Sequence, residues 1–195
     1  MPRLFTAIEI PESIRRKIAW LDLPPARVAR LTPPDDLHIT LHFIGEVSDS
    51  LRDAVQVGLR SVTASPFVLE LKGGGAFANR GRPEILYAGI KQSAEMSALW
   101  GAIGEFLKSL EIKLDDREFN PHVTVARMKQ PSPAVAAEFQ ERNSSFHARF
   151  TATSFSLYSV APSGQEPHYR AVEEYSLQKP QCQRNAVDKL RPNGF

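Results

Sequence analysis

One order of elements occurs twice along this chain, and it limits the possible folds more than any other feature. The order is strand, helix, a strand that opens on His-x-Thr, helix, strand. In the first half the periodicity predicts a strand at 4–10, a helix at 11–20, the His-x-Thr strand at 37–44, a helix at 49–62 and a strand at 67–71. In the second half it predicts a strand at 85–90, a helix at 94–110, the His-x-Thr strand at 122–126, a helix at 134–142 and a long, bent strand at 146–160. A last strand is expected at 169–177. From Phe5 to His38 is 33 residues and from Leu86 to His122 is 36, so the halves run nearly in step. We read this as an internal duplication. The expected fold class is α+β and bilobal: two pseudo-symmetric lobes, each with an antiparallel-rich sheet flanked by helices, facing one central cleft.

The prolines at 24–25 and 33–34 bound a loop, and Gly73-Gly74-Gly75 is expected to open another that runs through Arg82-Pro83. Residues 1–178 form the expected bilobal unit. Residues 179–195 carry Lys179, Arg184, Lys189 and Arg191 with little apolar periodicity, and are expected to be a flexible tail.

The two motifs are His38-Ile39-Thr40-Leu41 and His122-Val123-Thr124-Val125. Five histidines and seven threonines in 195 residues supply roughly 0.2 His-x-Thr pairs by chance, so two at matching places carry information. On a strand, residues two apart share a face. His38 therefore lies with Thr40 and His122 with Thr124, while Ile39, Leu41, Phe43, Val123 and Val125 turn to a core. Two such strands meeting across a cleft bring two imidazoles and two hydroxyls to one point, which suits a tetrahedral anion. The hydroxyls can donate to non-bridging oxygens. One neutral imidazole can take a proton from water while the other, protonated, gives one to the leaving oxygen. Neither a metal nor a covalent intermediate is needed, and no cofactor is expected.

Further candidates surround this pair. By alternation His42 shares the face of His38 and Thr40, at the cleft edge, where substrate contact and simple exposure are equally consistent. Arg127 is a cation close behind the second motif, but alternation points it away from His122 unless the strand ends near Ala126. Arg80 and Arg82, in the Gly-rich segment, are candidates to meet RNA phosphates, although the segment lacks the Gly-Lys-Ser/Thr ending of a P-loop. Phe43, Phe77 and Tyr158 are candidates to stack on a base. His38 and His42 on a strand do not have the helical spacing of a metal site, and no metal is expected. His147 and His168 have no threonine partner and are given no role.

Composition narrows the compartment. The net charge is +2 and the pI about 8.8, which permits a phosphate-bearing partner without requiring one. The opening is broken by Glu9 and Pro11 and is not a signal peptide, and no stretch has the roughly 18 apolar residues of a membrane span. The one cysteine, Cys182, rules out an internal disulfide. A cytoplasmic monomer is the expectation.

The segments Leu37-His38-Ile39-Thr40-Leu41-His42-Phe43-Ile44-Gly45 and Phe119-Asn120-Pro121-His122-Val123-Thr124-Val125-Ala126-Arg127 resemble the two-histidine phosphoesterase superfamily. Within it, the chain looks like the RNA 2′,3′-cyclic phosphodiesterases, also called 2′-5′ RNA ligases or the LigT family. Arg3-Leu4-Phe5-Thr6-Ala7-Ile8 and Pro83-Glu84-Ile85-Leu86-Tyr87-Ala88-Gly89 also match, so the resemblance covers residues 3–177. Val125 and Tyr87 stand where Leu and Trp are frequent. The resemblance implies metal-independent hydrolysis of a terminal 2′,3′-cyclic phosphate to a 2′-phosphomonoester. It implies that His38 is the proton donor, that His122 is the proton acceptor, and that Thr40, Thr124 and Arg127 hold the phosphate. RNA ends or nucleotides bearing the cyclic phosphate, tRNA halves among them, would be the partners, with no obligate protein partner. The resemblance also implies a reversible 2′-5′ RNA ligase activity. Two other readings are a binding module that keeps the cleft without chemistry, and a phosphodiesterase for another small cyclic phosphate.

Overall fold

The computed structural model describes residues 2–79, 82–160 and 169–178; the side chains at 79 and 82–84 lie outside that description. The predicted order is present, with small additions. Strand β1 (Arg3–Glu9) is followed by helix α1 (Glu12–Ile18), which buries Ile14 and Ile18 one turn apart. The proline-bounded stretch read as a loop holds a short strand, β2 (Ala29–Leu31), and a 3₁₀ turn, Pro34–Asp36. Strand β3 (His38–Glu46) carries the first motif. Helix α2 (Asp49–Gly58) starts at Ser48, whose hydroxyl accepts from the Leu51 amide. Strands β4 (Phe67–Asn79) and β5 (Arg82–Ile90) pair antiparallel. Helix α3 (Ala94–Ser109) is capped by Ser93 and buries Met96, Leu99, Ile103 and Leu107. Strand β6 (His122–Met128) carries the second motif. Helix α4 (Pro133–Arg142) is capped by Ser132 and precedes strands β7 (His147–Ala152), β8 (Ser154–Val160) and β9 (Tyr169–Ser176).

The Gly-rich segment from 73 is strand, not the expected loop. β4 runs straight through it. Glycine is needed there for two other reasons. Gly73 has φ +68° at a register shift between Leu71 and Gly74, a bulge that re-aims the strand. A Cβ on Gly75 would lie 2.3 Å from Cζ of Tyr87, on the paired strand.

Among the described residues nine strands form one antiparallel sheet in the order β7-β4-β5-β6-β3-β1-β8-β9, with β2 on β6. The order is symmetric about the β3–β6 junction: β1 flanks β3 as β5 flanks β6, and β8 flanks β1 as β4 flanks β5. This junction holds a single residue pair, Ile39 opposite Val123, both fully buried. The halves also interleave, because β4 of the first half lies between β5 and β7 of the second. Pairing corrects the alignment of the repeats by one residue. Phe5 lies opposite Phe43, and Ile85, not Leu86, holds the equivalent place opposite Arg127.

Candidate active site

The two motif strands are built alike, residue for residue. From His38 to Ile44 and from His122 to Met128 the order of half-buried, buried and exposed side chains is the same. Both strands skip a residue at the same place in the pairing. Thr6 and Ala7 lie opposite His42 and Thr40, passing over Leu41; Leu86 and Tyr87 lie opposite Ala126 and Thr124, passing over Val125. Each is a β-bulge, and a bulge reverses the alternation of everything after it.

That reversal settles three placements. His42 is turned away from His38 and Thr40 and is only 7% exposed. Its Nε2 bonds the Trp100 carbonyl at 2.8 Å and its ring stacks on Trp100 at 4.9 Å, so it packs against α3, not at the cleft edge. Phe43, expected in the core, is instead 56% exposed, with its ring 6.2 Å from Phe5. Arg127 joins the face of His122 and Thr124 although β6 continues to Met128. No strand end near Ala126 is required.

The single Ile39–Val123 pair then fixes the centre. In an antiparallel register around it, His38 faces Thr124 and Thr40 faces His122, so the four polar side chains sit at the corners of one patch. Both imidazoles are oriented in the same way. Nδ1 of His38 lies 2.6 Å from the Asp36 carbonyl, and Nδ1 of His122 lies 2.8 Å from the Asn120 carbonyl. A carbonyl can only accept, so each Nδ1 carries a hydrogen and each Nε2 is the nitrogen that titrates.

Aromatic rings hold both imidazoles. His38 lies against Phe5 at 5.0 Å, with Tyr169 edge-on at 4.9 Å and Tyr158 beyond at 6.3 Å. His122 lies against Phe77, edge-on at 4.6 Å, and Tyr87 at 5.4 Å; these two rings stack at 4.3 Å. Tyr158 and Phe77, named from the sequence, are thus beside the histidines. Phe5, Tyr87 and Tyr169 were not named as site residues. Phe5 was legible in part, since it alternates with Ala7 and Glu9 toward the face of His38. Arg80, Cys182, His168 and residues 179–195 lie outside the described residues, as does the Arg82 side chain.

Burial pushes both histidines below their usual range, and the positive charge of Arg127 acts on each in the same direction. The carbonyl bonds at Nδ1 oppose this in part. An anion bound between them would offset Arg127 and favour a proton on one ring. Among the described residues no group of three or more His, Cys, Asp or Glu side chains is placed to hold a metal, and no helix is long and apolar enough to cross a membrane.

Residues 11–162 match the 2′-5′ RNA ligase superfamily, and the chain belongs to that family. Among its relatives, an RNA 2′,3′-cyclic phosphodiesterase of Archaeoglobus fulgidus is 32% identical over 175 residues, covering 89% of this chain and 99% of the relative. An RNA 2′,3′-cyclic phosphodiesterase of Thermus thermophilus is 31% identical, covering 90% of each chain. The crystal structure of TT0787 of Thermus thermophilus superposes with a TM-score of 0.72 at 30% identity, over 90% of this chain and 97% of that one. The E. coli LigT complex with 3′-AMP shares the fold, with a TM-score of 0.73 at 24% identity, over 92% of this chain and all of that one.

Proposed function

We propose that this protein is an RNA 2′,3′-cyclic phosphodiesterase that opens the terminal cyclic phosphate by acid–base catalysis with two histidines. The observation that carries the reading is the matched pair. Two imidazoles from neighbouring strands each donate Nδ1–H to a carbonyl two residues back, leaving each Nε2 to exchange protons. In the proposed reaction His122 Nε2 takes a proton from water, and the water oxygen bonds to phosphorus. The bond from phosphorus to the 3′ oxygen breaks, and that oxygen takes its proton from His38 Nε2. The product is a 2′-phosphomonoester with a free 3′ hydroxyl. Thr40 and Thr124 donate to the non-bridging oxygens, and Arg127 balances the charge that grows on them. The assignment of acid to His38 and base to His122 follows the family resemblance. The near-symmetry of the two strands supplies both roles without ranking them.

The relatives named RNA 2′,3′-cyclic phosphodiesterase support the substrate class. If a 5′ hydroxyl of another RNA replaces water, the same steps yield a 2′-5′ linkage, so ligation belongs to the proposal as a side reaction. The test is to incubate the protein with an RNA ending in a 2′,3′-cyclic phosphate, with and without EDTA, and to identify the new end. A 2′-phosphate formed equally in both supports the reading. A 3′-phosphate, or loss of turnover with EDTA, refutes it.

A further inference from the structure

Beside the histidine patch lies a pocket that shares Arg127 with it and adds a second arginine, Arg30, which the reaction above does not use. Strand β2 runs along β6, and its register places Arg30 directly opposite Arg127. Directly paired residues project to the same side of a sheet, so Arg30 shares the face that Arg127 shares with His122. Guanidinium groups on directly paired positions can both donate to one phosphate. Arg30 and Arg127 line a pocket of about 120 Å³ together with Leu31, Thr32, Pro33, Asp36 and Tyr169. Asp36 is buried there and contributes a carboxylate to the lining. The pocket adjoins the reacting centre on two sides. Arg127 acts on both histidines, and the Tyr169 ring meets the His38 ring edge-on at 4.9 Å.

We infer that Arg30 and Arg127 form a second anion site that receives the phosphodiester one nucleotide upstream of the reacting cyclic phosphate. The inference rests on the phosphodiesterase reading and sharpens its substrate to a chain of at least two nucleotides. Consecutive phosphates would then be held by one strand pair: the terminal one over β3 and β6, the next over β6 and β2. Arg127, between the two positions, serves both. Arg30 serves the upstream one and sets the preference for polymer ends over free cyclic mononucleotides.

Three substrates with the same terminal nucleotide test this: a 2′,3′-cyclic mononucleotide, the corresponding dinucleotide, and that dinucleotide with a neutral methylphosphonate at the internal linkage. Wild-type kcat/KM should be highest for the charged dinucleotide, by about tenfold over the methylphosphonate, since a charge-assisted contact is lost. Arg30→Gln should cut that discrimination severalfold, leaving the part that Arg127 supplies, and Arg30→Lys should retain more of it. Three results overturn the inference: equal wild-type rates on charged and neutral dinucleotides, an equal proportional loss on all three substrates in Arg30→Gln, or wild-type discrimination undiminished in Arg30→Gln. Failure of the wild type on every substrate would instead refute the phosphodiesterase reading beneath it. Thermal melts of each variant establish that the fold is intact.

Discussion

Gly75→Ala probes the wall behind His122. The added methyl would lie 2.3 Å from Cζ of Tyr87 and 2.5 Å from its Cε2 and Oη. Unbonded carbons rest at about 3.5–4.0 Å, so the ring must retreat by more than about 1 Å. The atoms in conflict are the far end of a half-buried side chain, which can swing outward. An off-rotamer ring costs about 0.5–1.5 kcal/mol, or roughly 1–6 °C in melting temperature for a chain of this size. Function should suffer more. Tyr87 stacks on Phe77, and both rings touch His122, so a retreating Tyr87 leaves that imidazole without its support. A displacement near 1 Å at a catalytic group lowers the rate by about 100-fold. The expected outcome is a small change in melting temperature, by calorimetry, with a loss of about 100-fold in kcat on a cyclic-phosphate RNA end. Adding Tyr87→Leu should recover the lost stability without restoring full turnover. If Gly75→Ala keeps near-wild-type kcat, the stacked rings do not position His122 and the reasoning fails.

The remaining expectations concern charge. His38→Ala and His122→Ala should each lower kcat by about 100- to 10,000-fold with the melting curve preserved; near-wild-type turnover in either would refute the two-histidine mechanism. Arg127→Gln should lower kcat/KM by roughly 10-fold or more by losing a charge-assisted contact, and should move the pH–rate profile toward alkaline pH. The reason for the shift is that Arg127 holds both histidines down; an acid shift would contradict the assignment. Burial lowers His42 as well, so the unfolded chain takes up its proton first as pH falls below about 6.5. Stability should therefore decline from that point until the lower folded-state pKa is passed, and His42→Leu should reduce the slope of melting temperature against pH.

The periodicity of His38–Thr40 and His122–Thr124 was legible because it is a property of a single strand. The skipped residues Leu41 and Val125 were not, because a bulge exists only relative to a partner strand, and the partners lie more than 30 residues away. That one omission misplaced His42 and Phe43 and left Arg127 facing the wrong way. The Gly73-Gly74-Gly75 run was misread because glycine has more than one use. It can turn a chain, and it can also clear room for a ring such as Tyr87. Tyr169 reaches His38 from the last strand, a proximity that only the assembled sheet creates.

The interleaving of the halves ties the site to the whole molecule. A single residue, Thr153, separates β7, paired with β4 at one end of the sheet, from β8, paired with β1 toward the other. β4 is claimed by the second half, while β1 is completed by β8. Neither half can finish its own sheet, so severing the chain between them would leave two fragments, each missing a strand that the other carries. The histidines, one from each half, are therefore held by a mutual exchange of strands. To move one far from the other, the protein must give up its global fold, which makes the geometry of the pair as durable as the molecule itself.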